Sequence, residues 1–435
     1  MVFKRVADAW RRCSRLSSCF LIPALAACGG SGGPEAAAPP TGELVSSFGV
    51  AGSIEDTPAL VTTYASRVVA DATHMYVGGI TDELGNTAWR LEKRALVDGA
   101  LDPVFGGGSE ILSNPTGGAD TLTALALDDT HLYVGGIVNA PADMAWRIER
   151  RSLVDGSLDA GFGVGGVVTV NPTAGVDALR ALLIVGSRLF LAGTVGDAWR
   201  VECRFSVTGA LVDSFGVLGV LDIDPSPGAD ATTSLATDGA SLFVVGRDLS
   251  AGGTDHTIRV EKRSVINGSL QAGFGVGGVL TSNPSPTFDV AYDAVVSDGW
   301  LFLAGIDEQP GLNDRRLHLQ KRSVVDGSRD LGFGVGGLVA TDISTGRDEY
   351  LAVVASGGHV WLAGVDRRSG DRRWRLEKRS ATTGALDASF GESGVVLFDT
   401  PGRDDQAEDL VVSGNRLIAV GLMSDDGWRI EARDP

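Results

Sequence analysis

"GADTLTALALDDTHLYVGGIVNAPADMAWRIERRSLVDGSLDAGFGVGGVVTV", residues 118–170, holds every kind of segment from which this chain is built. "TLTALALDD" alternates and stops at polar turn formers, while "HLYVGGI" is a compact apolar run with an aromatic and β-branched residues; both read as strands. In "AWRIERRS", Trp146 and Ile148 point one way and Arg147, Glu149 and Arg151 the other. "VDGSL" supplies an Asp-Gly turn, and "GFGVGGVVTV" runs from glycines into a Val-rich strand. None of these segments has the length and 3.6-residue period of a helix.

The unit recurs. Its Phe-Gly pair falls at Phe48, Phe105, Phe162, Phe215, Phe274, Phe333 and Phe390, at intervals of 53 to 59 residues. Seven units of four short antiparallel strands, each too small to bury both faces alone, predict an all-β, seven-bladed β-propeller over 41–435. With the alternating run as innermost strand A, followed by B, C and an outermost D at the Phe-Gly segment, the C-terminal unit ends at "GWRIEARDP" without a D strand. Joining "WRIEARDP" to "PTGELVSSFGVAGSI" restores the spacing. The N-terminus is therefore expected to complete the last blade, with residues about 48–54 beside Trp428–Arg433, covering an exposed sheet edge.

The first 27 residues read as an export signal: Lys4, Arg5, Arg11, Arg12 and Arg15 precede the apolar segment Leu16–Ala27. Leu25-Ala26-Ala27-Cys28 resembles the bacterial lipobox, which implies a mature chain lipidated at Cys28 and anchored at the outer membrane, on its periplasmic or its outer side. Residues 28–40, with "GGSGGPEAAAPP", form a tether. The mature chain keeps one further cysteine, Cys203, on the apolar face of its strand, so no internal disulfide is expected. It carries 32 basic against 54 acidic residues, a formal charge near −22. That balance disfavours nucleic acid and anionic headgroups as partners.

"GSLDAGFGVGGVV" at 156–168, "GALDASFGESGVV" at 384–396 and "RLFLAG" at 188–193 together resemble the bacterial delta-60 repeat family. The resemblance spans about 41–435 and implies a propeller in an exported protein. It brings no common activity and no catalytic residue.

Two series repeat with the blades. Asp120, Asp177, Asp230, Asp289, Asp348 and Asp405 stand at the start of strand A, with Thr63 in the remaining copy. They are expected around the channel mouth, where each either caps a loop or joins a ring of oxygens able to take calcium. Strand C carries Arg-Glu-Arg in six copies and His318-Gln320-Arg322 in the fifth, with Trp89, Trp146, Trp199, Trp374 and Trp428 on its other face for packing between blades.

Function tends to break such symmetry. The B–C loops at 247–257 and 307–316 are long, and Asp255, His256, Asp307, Glu308, Asn313, Arg315, Arg316 and His318 are the candidate ligand residues on the face made by D–A and B–C loops. No nucleophile elbow, zinc helix or phosphate loop is present, and no cofactor is implied. The expected function is a monomeric, lipid-anchored binding or scaffold module for an envelope protein or glycan. The alternatives are an envelope hydrolase or lyase using the channel-mouth carboxylates, and an outer-membrane assembly factor.

Overall fold

The computed structural model describes residues 41–58, 61–140, 143–249, 253, 255–309, 314–368 and 370–435. Seven four-stranded antiparallel sheets follow one another around an axis, six of them built from consecutive strands. The first blade comprises Thr63–Ala70, His74–Thr81, Ala88–Ala95 and Ile111–Ser113 as strands A to D. The seventh takes A, B and C from Gln406–Ser413, Arg416–Met423 and Gly427–Arg433, and D from Ser53–Asp56.

The closing strand sits a few residues later than expected. Ser53 to Asp56 pair with Glu431 to Trp428, whereas Phe48–Gly52 form a tight double turn in which Gly52 N–H donates to the Phe48 carbonyl at 2.8 Å. Gly49, Ala51 and Gly52 have φ of 52°, 54° and 96°, and backbone of that hand does not continue a β ladder. Upstream, Gly42 accepts from Arg433 Nη1 at 2.7 Å. In the sixth blade Gly384 does the same for Arg379 at 2.8 Å. The N-terminus thus supplies both the C–D turn and the D strand of the last blade.

Packing between blades explains the repeat's remaining letters. The seven Phe-Gly phenylalanines are all buried, and six of them meet a strand B aromatic edge-on with centroids 5.4 to 6.0 Å apart. The strand C tryptophans are buried as well. A Cβ on Gly136, Gly193, Gly246 or Gly79 would lie within 2.8 Å of the indole of Trp89, Trp146, Trp199 or Trp428. Each indole therefore fills a slot that a strand B glycine leaves open in the next blade.

The strand C charges form a chain on the opposite face. Glu92 bridges Arg90 and Arg94 at 2.6 Å each, and Arg94 also donates to the Gly99 carbonyl. In the fifth blade the same positions hold a largely uncharged relay. His318 Nδ1 lies 3.2 Å from Asp307, its Nε2 2.6 Å from Gln320 Nε2, and Gln320 Oε1 accepts from Arg322. Burial lowers the His318 pKa against the pull of Asp307, so a neutral imidazole donating through Nδ1 and accepting through Nε2 satisfies both neighbours.

Candidate binding site at the axial channel

Every innermost strand carries a one-residue bulge. The extra residues are Ser66, Thr123, Arg180, Thr233, Tyr292, Leu351 and Glu408. A bulge re-aims side chains, and all of these except Ser66 line the axial channel, where the first blade presents Arg67 instead. The narrow part of the channel, about 170 Å³, touches all seven innermost strands. It widens to about 290 Å³ among Arg67, Arg180, Thr233, Arg247, Tyr292 and Glu408. Arg247 lies two residues before the end of strand B of the fourth blade, so this part of the channel lies toward the D–A/B–C face.

The channel wall is stitched between blades. Thr123 Oγ1 donates to the Leu179 carbonyl at 2.8 Å and Thr233 Oγ1 to Ala291 at 2.6 Å. Asp293 and Asp409 do the converse, accepting from the N–H of Val353 and Val68, each at 2.9 Å. Burial pushes Asp409 up to about 7 and raises Asp293 and Glu408 as well. Tyr292 is pushed up to about 12 by burial and by Glu349. Burial also lowers the Arg180 pKa, with Arg67 and Arg247 adding to the effect. Among the described residues neither Arg180 nor Arg247 has an ion-pair partner.

The six repeated aspartates do not join this wall; each is at most 1 % exposed. Asp120 accepts from Thr116 Oγ1 at 2.7 Å and N–H at 3.0 Å, and from Asn139 N–H at 2.9 Å. Asp230 and Asp348 bind Ser226 and Ser344 together with the N–H of Leu249 and Arg367. Asp177 and Asp289 hold Thr173 and Ser285, and Asp405 holds Thr400 and Ser424. Of the two expected roles, loop capping is the one seen: Asp120, Asp230, Asp348 and Asp405 clasp the D–A loop to the end of strand B, and Asp177 and Asp289 bind the D–A loop, all buried and not presented to the channel. Among the described residues no group of three or more acidic, His or Cys side chains is placed to hold a metal ion.

The candidate ligand residues divide into two sets. Asp307 and His318 are fully buried, and Asp307 is also bound by Arg316 Nε at 2.6 Å; this pair is withdrawn from the ligand face because the relay encloses it. In the second set, His256 and Arg315 meet at Phe288, a residue that no repeat or motif in the sequence marks. The His256 ring lies 4.5 Å from it, and the Arg247 and Arg315 guanidiniums stand 5.0 and 4.9 Å from its centroid. Arg315 also pairs with Glu308 at 3.1 Å and with Glu349. Asp255 accepts from Asn283 at 2.9 Å. Asn313 and Cys28, with the signal and tether, lie outside the described residues. Cys203 is buried, and burial pushes its thiol up to about 11.

No protein-family model matches this chain. No curated protein matches it either. Among solved structures, Sqt1 from Chaetomium thermophilum aligns over 86% of this chain and 97% of its own, at 12% identity and a TM-score of 0.47. The β-propeller domain of the Trilobed protease from Pyrococcus furiosus, described as having an open velcro topology, aligns over 86% and 94% at 9% identity and 0.45. Polysaccharide lyase Uly1 aligns over 89% and 92% at 8% identity and 0.46.

Proposed function

We propose that this chain is a lipid-anchored binding module of the bacterial envelope that takes an acidic segment of a protein or glycan at its D–A/B–C face. The observation that carries the reading is the pair of unneutralised guanidiniums, Arg180 and Arg247, in a channel of a protein whose overall charge is strongly negative. In a site partly shielded from water a guanidinium without a carboxylate favours an incoming carboxylate or other oxyanion, which it can hold through paired N–H donors. Phe288 and Tyr292 offer apolar and aromatic surface beside it. Anchoring through Cys28 and membership of the delta-60 repeat family rest on the sequence motifs already quoted.

An enzyme built on Asp120, Asp177 or Asp230 loses its support, because those carboxylates are bound up in loop clasps. The test is crosslinking on intact cells with the wild-type chain and with Arg180→Gln/Arg247→Gln. The expected result is loss of the crosslinked partner at an unchanged melting temperature. Equal recovery of partner by both chains would defeat the proposal.

A further inference from the structure

The face opposite the channel mouth, made of A–B and C–D turns, carries a feature that soluble monomers seldom repeat with such regularity. At each junction between blades, the glycine after the Phe-Gly phenylalanine donates its N–H to a C–D turn carbonyl of the next blade. Gly163 donates to Thr208 at 2.9 Å, Gly216 to Asn267 at 3.0 Å and Gly275 to Asp326 at 2.9 Å. Beside these bonds lie the pairs Val164 and Val207, Val217 and Ile266, and Val276 and Val325, each side chain between 58 and 88 % exposed. Val50 with Val97 repeats the pattern across the Gly49 to Asp98 bond, and Val335 adds a further 88 % exposed side chain. Isolated exposed apolar residues need no explanation, whereas a recurring apolar belt on one face marks an interaction surface.

The same belt receives the chain from its N-terminal side. At the junction of the sixth and seventh blades Gly391 N–H donates to the Thr41 carbonyl at 2.8 Å, so Thr41 occupies the place a C–D turn residue holds elsewhere. Twelve residues separate it from Cys28, a reach of at most about 40 Å. We propose that the belt rests on the surface of the lipid bilayer that holds Cys28, a contact additional to the acyl chains that orients the propeller on the membrane. The proposal rests on the lipoprotein reading. Charge on this face narrows the lipid: Asp98, Asp155 and Asp326 stand in the same turns, exposed beside the valines, so zwitterionic headgroups suit it and anionic ones do not.

The test uses the full chain processed in cells and reconstituted in vesicles of phosphatidylethanolamine and phosphatidylcholine containing spin-labelled lipid. A fluorophore is placed by Val276→Cys on the belt or by Ala174→Cys on an exposed D–A loop, and intact mass reports the acyl groups. Quenching of the first label and not the second, most of it lost when Val164, Val217 and Val335 are changed to Ser or when phosphatidylglycerol replaces the zwitterionic lipid, is the expected result. An acylated chain with both labels unquenched would overturn the belt's role and leave the anchor intact. An unacylated chain would remove the lipoprotein reading and this inference together. A Cys28→Ser chain that sediments as a dimer, and as a monomer once Val164→Ser and Val217→Ser are added, would reassign the belt to self-association.

Discussion

A methyl group at Gly193 would stand 2.3 Å from the Ala178 carbonyl and 2.5 Å from the Trp146 indole. Neither neighbour is the free end of a flexible side chain, so Gly193→Ala should destabilise the protein by about 1–3 kcal/mol, the usual cost of overpacking a tight core, measurable as a lower urea midpoint. The requirement comes from its own strand A and from the adjacent blade's indole, and its trace in the sequence is the glycine that closes "YVGG", "FLAG" and "FVVG". The aspartate clasps were legible in a similar way: a Thr or Ser stands four residues before Asp120, Asp177, Asp230, Asp289 and Asp348, the spacing of a loop that folds back on its own carboxylate. The channel residues left no comparable trace. Arg180, Tyr292, Leu351 and Glu408 share no chemistry, and what they share is a bulge set by pairing with strand B. Alternation alone assigns such residues to the wrong face of a strand.

Strand C shows what an element gains from repeated charge. In the seventh blade Glu431 is fully buried between Arg429 and Arg433, and the two arginines reach on to Glu55 and to the Gly42 carbonyl, both on the N-terminal segment. Glu431→Gln leaves the buried Arg433 without a carboxylate and Arg429 with Glu55 alone, a change expected to cost about 3–5 kcal/mol. Guanidinium chloride unfolding should show it, together with faster hydrogen exchange in residues 53–56; a loss below about 1 kcal/mol, the value of an exposed ion pair, would refute this account. The fifth blade reaches the same end with fewer charges, since a neutral His318 needs no carboxylate at position 320. Strand identity and phase were readable from alternation. The register of the closing strand was not, because the positive φ angles at Gly49, Ala51 and Gly52 displace it by a few residues.

Over the whole molecule, two groups of carboxylates give stability opposite pH dependences. Burial opposes ionisation of Asp102 and Asp387, but Lys93 with the N–H of Val104, and Ser389 with Lys378, hold both down to about 2. Their contribution is present above the unfolded value near pH 4 and is lost as pH falls toward 2. Burial pushes Asp289 and Asp409 up to about 7, with Asp307 adding to the first and Asp293 to the second. Their contribution is complete below about pH 4 and is lost as pH rises through 7. The melting temperature should therefore fall on both sides of a maximum near pH 4, toward pH 2 on the acid side and toward pH 7 on the neutral side. Asp409→Asn, which removes one of the titrating groups, should flatten the neutral limb; a mutant limb as steep as wild type would show that Asp409 does not titrate there.

The bipartite seventh blade has a consequence in time. Glu55 and Arg429, which meet at the seam, are 374 residues apart in the chain. At synthesis rates of 5–20 residues per second that separation lasts roughly 20–75 s. The strand made first is among the last to be paired, so six blades can form while the ring stays open.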